Sequence, residues 1–142
     1  MFRQLSGQVW VSPQIDCDDV TAAAAAGIGV IVNNRPEGES DDQTPGATIA
    51  AAAGAKGIAY HAIPVTHAGF SEPQVAAMAA LLAEGGKMLA YCRSGTRSTL
   101  LWALAEASRG ADPEGLARQA AQAGYDIGPV RALVDMLASG QR

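Results

Sequence analysis

The sequence predicts an α/β domain: a mostly parallel sheet of four or five strands flanked by helices on both faces. Short apolar runs rich in β-branched residues alternate with helix-like segments along the chain, and the connections between them are short. The runs are continuously apolar instead of alternating, as in strands covered on both sides. A length of 142 residues bounds the chain to one domain, residues 1–142. Hydrophobic residues make up 49% and charged residues 17%, enough to build a core.

Alanine is abundant throughout, so boundaries are read from punctuation more than from propensity. Gln8–Val11 reads as a short strand stopped by Ser12-Pro13. Asp16 caps a helix running to Ala26, with Asp18 and Asp19 in its first turn and Gly27 as its stop. Gly29–Asn33 carries Val-Ile-Val and reads as a covered strand, and Asn34–Gly46 is a polar loop. Ala47–Lys56 is a helix ended by Gly57; Ile58–Val65 is a strand that Pro64 limits. After the loop 66–70, Ser71 caps a helix to Ala83 with Pro73 in its first turn. Gly85-Gly86 break it, and Lys87–Tyr91 is a further buried strand. Cys92–Arg97 is a glycine-containing turn that opens a helix over Ser98–Ser108. Helices over Pro113–Ala123, capped by Asp112, and Pro129–Ala138 follow, before the tail Ser139–Arg142.

Composition excludes several function classes. The net charge is −4, which argues against a general nucleic-acid or anionic-membrane binder, so any anion site is local. Two cysteines, Cys17 and Cys92, make no disulfide scaffold, and with only His61 and His67 they supply no four-ligand zinc site. The N-terminus lacks an apolar signal core, and no apolar stretch approaches the ~20 residues that span a membrane. A soluble cytoplasmic protein with free thiols, needing no metal or organic cofactor, is expected.

The chemistry lies in Cys92-Arg93-Ser94-Gly95-Thr96-Arg97-Ser98, between a buried strand and a helix. Ligands of open α/β sheets bind beyond the carboxyl ends of the strands. A loop that opens a helix there turns backbone N–H groups and the helix dipole on an anion. Gly95 permits the tight backbone. Positive potential from these N–H groups, Arg93 and Arg97 favours a Cys92 thiolate. Arg97 suits bidentate oxyanion binding, and Ser98 or Thr99 suits a hydrogen bond to the sulfur. The constellation fits nucleophilic catalysis through a covalent intermediate on Cys92. Arg93, Ser94, Gly95 and Thr96 form the anion cradle.

This loop resembles the Cys-Arg-x-Gly-x-Arg loop of rhodanese-type sulfurtransferases, and it is similar to the Cys-x5-Arg loop of tyrosine and dual-specificity phosphatases. It has one residue fewer than the latter, and Tyr91 stands where they usually have His. The rest of the chain resembles the phosphatase-like domain of the bacterial beta-lactamase-hydrolase-like proteins. The matching pieces are Val11-Ser12-Pro13-Gln14, residues 30–39, Ala59–Val65, and the Cys92 loop with the Ser-Thr-Leu-Leu-Trp that follows. That resemblance implies a protein-tyrosine-phosphatase-like fold. It also implies a link to sulfur metabolism, because such domains occur fused to a metallo-hydrolase of the persulfide-dioxygenase type, which is then a candidate partner.

Two reactions follow. The smaller cradle favours transfer of sulfane sulfur through a Cys92 persulfide, from a small-molecule donor to a thiol acceptor. The alternative is a phosphatase working on a phosphorylated substrate through a phosphocysteine. A non-catalytic anion- or persulfide-sensing module is a third reading. In the resembling phosphatases an Asp after the third strand protonates the leaving group. Here that loop, Thr66–Phe70, carries His67 instead, and otherwise Glu37, Glu39, Asp41 or Asp42 would have to reach in. Thiol-to-thiol sulfur transfer needs less proton assistance. Arg35 joins the anion pocket, pairs with a loop carboxylate, or is a surface arginine preceding Pro36. Cys17 has acidic neighbours and is read as structural or incidental, a resolving thiol only if the fold brings it to Cys92. His61 is read as a hydrogen-bonded core or strand-face residue. Trp102 and Leu104 are read as core, and Phe70 as a pocket wall or packing residue.

Overall fold

The computed structural model describes residues 2–140; Met1 and the end of the expected tail, Gln141 and Arg142, lie outside the described residues. Five strands form one sheet: β1 (Arg3–Gln4), β2 (Val9–Ser12), β3 (Val30–Asn33), β4 (Ala59–Ala62) and β5 (Met88–Tyr91). Their order is β1-β2-β5-β3-β4. β2, β5, β3 and β4 run parallel, and β1 adds an antiparallel edge to β2. This hairpin was not expected, because Arg3 and Gln4 are exposed and polar and carry no apolar run. β4 is shorter than the expected Ile58–Val65. The chain leaves the ladder before Pro64, although the N–H groups of Ile63 and Val65 still reach the carbonyls of Asn33 and Asn34, each at 2.9 Å.

Six α-helices follow the expected plan: α1 (Cys17–Ala25), α2 (Gly46–Ala55), α3 (Glu72–Ala83), α4 (Thr96–Ser108), α5 (Pro113–Gln122) and α6 (Arg131–Ser139). A 3-10 turn at Gly128–Val130 leads into α6. The caps are those read from sequence. Asp16 and Asp19 form a reciprocal capping box, as do Ser71 and Gln74, and Asp112 accepts from the Gly115 N–H. α4 begins two residues earlier than expected, which places Arg97 inside its first turn.

Alternation along the strands divides the core in two. Ile31, Leu89 and Tyr91 face α1 and α2, packing with Ile15, Val20, Ala23, Ile49 and Ala53. Val9, Val11, Val32, Met88 and Ala90 face the other helices, packing with Val75, Met78, Leu101, Leu116 and Val134. α4 lies in the centre of that second layer; Trp102 and Leu104 are fully buried, as expected. A helix covered on all sides reads as apolar all round.

The buried polar residues gather at one place. Ser12 ends β2, Asn33 ends β3, Asn34 and Arg35 follow it, and Ser98 and Thr99 lie in the first turn of α4. All of them sit at the carboxyl edge of the sheet. Buried polar groups need partners, so a concentration of them marks a built network.

Candidate active site

β5 delivers Cys92 to this edge between two strands. Ser12 of β2 and Asn33 of β3 both register with Tyr91, the residue before it. The Cys92 N–H donates to Ser12 O at 3.4 Å, and the Asn34 N–H donates to Tyr91 O at 2.8 Å. Cys92 is a free thiol with no exposed surface. Gly95 then turns with φ +91°, a left-handed conformation that side chains resist. This turn aims the Gly95 N–H at Cys92 Sγ, 3.1 Å away. The sulfur therefore faces the amino end of α4.

Arg97 is held in a bidentate pair. Its Nη1 and Nη2 donate to Glu39 Oε2 and Oε1 at 2.7 and 2.8 Å, and Nη1 also donates to Val65 O at 2.7 Å. Glu39 accepts a third bond, from Arg35 Nε at 2.9 Å. The Arg97 bonds, aided by Arg35 and opposed by burial, lower the Glu39 pKa to about 2. Glu39 therefore does reach in from the 34–46 loop, but as a fixed anion and not as a proton donor. Its hydrogen bond is the largest influence raising the Arg97 pKa above its ordinary value, and the Cys92 sulfur adds to it.

Arg35 is buried, 4% exposed, and its Nη1 and Nη2 donate to Gln14 Oε1 and Ser40 Oγ, both at 3.0 Å. Of the expectations for it, pairing with a loop carboxylate is what the structure shows, and its burial corrects the surface reading. Gln43 ties the same loop by accepting from the Glu39 N–H and donating to Pro36 O, both at 2.9 Å. Glu37 accepts from the Gly46 N–H at 2.9 Å, and Asp42 from Ser40 Oγ at 2.6 Å. Asp41 is exposed.

Other expectations are corrected. Ser98 Oγ donates to Asn34 Oδ1 at 2.7 Å, and Thr99 Oγ1 donates to Gly95 O at 2.8 Å. Each hydroxyl proton is taken by an oxygen of the loop's frame instead of the sulfur. The Thr96 N–H donates to Ser94 Oγ at 3.4 Å, so Ser94 caps the turn locally. Arg93 is exposed at the loop. His67 is exposed, two residues past the Val65 carbonyl that touches Arg97. His61 is exposed on edge strand β4, so of its two readings the strand-face one holds and the core one does not. Cys17 is exposed at the start of α1, and Phe70 packs against the larger core. One residue was missed: the Tyr125 hydroxyl donates to Ser94 O at 3.0 Å. It lies between two helices in Gly-Tyr-Asp, with no local signal to single it out.

Residues 1–109 match the family described as Beta-lactamase hydrolase-like protein, phosphatase-like domain. The chain belongs to this family. The Beta-lactamase hydrolase-like protein of Xylella fastidiosa is 35% identical over 97 residues, 68% of this chain and 22% of that protein. The chain thus matches about a fifth of the length of that curated relative. A crystal structure of a candidate phosphatase from Neisseria meningitidis superposes with a TM-score of 0.82 at 31% identity, covering 95% of this chain and 96% of that one. Kinase-associated phosphatase, solved with its catalytic-site cysteine substituted by serine, gives a TM-score of 0.71 at 16% identity, covering 99% and 92%. The fold is protein-tyrosine-phosphatase-like. The expectation of sulfur transfer, drawn from the short loop, finds no support in these likenesses; they favour the phosphatase alternative.

Proposed function

We propose that the chain is a cysteine-dependent phosphatase acting through a Cys92 phosphocysteine. The observation that carries this is the way Arg97 is held. Glu39 and Val65 take both Nη1 hydrogens and one Nη2 hydrogen. Nε–H and the second Nη2 hydrogen share the guanidinium's side edge and remain for two oxygens of a phosphoryl group. Cys92 Sγ attacks phosphorus, the S–P bond forms and the P–O bond to the leaving group breaks. Water then cleaves the S–P bond and releases phosphate. The loop N–H groups and Arg97 stabilise charge on the equatorial oxygens in both steps. The leaving oxygen needs a proton, and the ionised Glu39 is unsuited to give it. We assign that role to His67, on the loop that Val65 anchors beside Arg97.

Turnover of an aryl phosphate, with mass spectrometry of the trapped intermediate, tests the reading. Wild type should release phosphate and gain one phosphoryl group on Cys92, and Cys92→Ser should do neither. Arg97→Lys should lose about a thousandfold in kcat/KM, because a point charge replaces a fork. His67→Gln should lose more on an alkyl than on an aryl phosphate, whose leaving group needs less help. A gain of one sulfur from thiosulfate without phosphate release would overturn the proposal and return the chain to sulfur transfer.

A further inference from the structure

One peptide group of the Cys92 loop is gripped at both ends. The Ser94–Gly95 carbonyl accepts from the Tyr125 hydroxyl at 3.0 Å. The N–H of the same peptide donates to Cys92 Sγ at 3.1 Å. In a planar trans peptide the C=O and N–H point in opposite directions, so a donor fixed on the oxygen determines where the N–H aims.

This peptide is also the one most free to turn over. A flip rotates ψ of the first residue and φ of the second, and at the second position glycine accepts both signs of φ. Gly95 stands there at φ +91°. After a flip, the Ser94 oxygen would point at the sulfur and its partial negative charge would oppose a thiolate. The loop's internal bonds do not prevent this: Thr99 holds the Gly95 carbonyl, which belongs to the next peptide.

Tyr125 is itself held from behind. The Arg3 guanidinium lies over its ring, 5.6 Å from the centroid, and Arg3 Nη1 donates to Ala123 O at 3.0 Å. The ring also stands where a side chain on Gly95 would have to go. The brace therefore joins the edge strand β1, the α5–α6 connection and the loop.

We propose that Tyr125 is a positioning residue, which pins the Ser94–Gly95 peptide so that its N–H faces the Cys92 sulfur. The hydroxyl acts from the far side of the peptide and does not touch substrate. In its catalytic part the proposal rests on the phosphatase reading above; in its thiolate part it does not.

The test is Tyr125→Phe, which keeps the ring beneath Arg3 and removes only the hydroxyl. Cys92 alkylation by iodoacetamide reads the thiolate without any phosphate ester. The ratio of the alkylation rate at pH 6 to that at pH 9 should fall, by up to about tenfold, the scale of one hydrogen bond to a charged group. In aryl phosphate turnover, kcat should fall by a similar factor with KM within about twofold, because the lost contact serves the nucleophile and not binding. The melting temperature should stay within about 4 °C, as for loss of one part-exposed hydrogen bond. Arg3→Gln, which keeps the hydroxyl but frees the ring, should shift the alkylation ratio the same way by less. An unchanged alkylation ratio in Tyr125→Phe would overturn the proposal, whatever Arg3→Gln does. A lowered ratio in an enzyme whose wild type releases no phosphate would uphold the brace and sink the phosphatase reading instead.

Discussion

Two loops meet at the carboxyl edge of the sheet, and they are built on different principles. The Cys92 loop is made almost wholly from its own neighbours. The Gly95 N–H returns to Cys92, Thr96 to Ser94, and Thr99 to Gly95, each within four residues. The Asn34–Gly46 loop carries no chemistry of its own, yet it supplies Glu39 to an arginine 58 residues away in sequence. The first loop places the thiol proposed here as the nucleophile. The second orients the cation that serves it. A site can thus be half readable as a motif and half hidden in a polar connection.

Substitutions that break one side while sparing the other should separate the two. The largest effect is expected in the local loop, at Gly95→Ala. A methyl there meets Tyr125 and adopts a φ that L residues resist, so unfolding free energy should fall by about 3 kcal/mol and turnover should be lost. Chemical denaturation and turnover on one preparation would check this; an active, equally stable variant would contradict it.

Next is Glu39→Gln, which leaves two arginines without their shared anion. A loss of about 2 kcal/mol at pH 7 is expected, together with a higher KM as Arg97 loses its orientation. The pH dependence gives the sharper signature. The Glu39 pKa is depressed in the folded state, from an ordinary 4.5 to about 2. Its stabilisation is therefore complete above about pH 4.5 and is lost as pH falls toward 2. Urea titrations between pH 2 and 6 should show this component in wild type and lack it in Glu39→Gln. Parallel curves for the two proteins would remove Glu39 from its assigned place.

Asn34→Ala should cost about 1–2 kcal/mol. It strips Ser98 Oγ of its acceptor and the Ile63 carbonyl of a donor at 2.9 Å, both buried. Calorimetric melting is the check, and the thiol should remain reactive because neither bond reaches Cys92. The smallest effect belongs to Tyr91→Phe. The Tyr91 hydroxyl is buried without a hydrogen-bond partner among the described residues, and burial pushes its pKa upward. Removing it should leave stability unchanged or raise it by up to about 1 kcal/mol. A loss of more than that would mean the hydroxyl has a partner after all.

Much of the architecture was legible because its determinants are local. Caps at Asp16, Ser71 and Asp112 act within three residues, and buried parallel strands announce themselves as short apolar runs. The β1 hairpin escaped because two exposed polar residues gain their pairing only once β2 is in place. The Cys92 loop was legible for the same reason as the caps: thiol, glycine and arginine share one strand-to-helix turn. The roles of Glu39, Ser98 and Tyr125 were not. Glu39 stood among four acidic residues of one polar loop, and nothing in its own neighbourhood marks it as the partner of Arg97. Ser98 was assigned to the sulfur on proximity in sequence, but Asn34, 64 residues earlier, offers the better acceptor.

The sequence by itself determined the alternation of strand and helix, the position of the thiol and the glycine that lets its loop turn, since backbone sterics and short-range hydrogen bonds need only adjacent residues. The tertiary structure decided which carboxylate meets Arg97, which hydroxyls frame the loop and which tyrosine braces it. Those choices depend on strand order, which brings β2, β3 and the α5–α6 connection around the end of β5. There, burial and charge act between groups that the chain holds far apart.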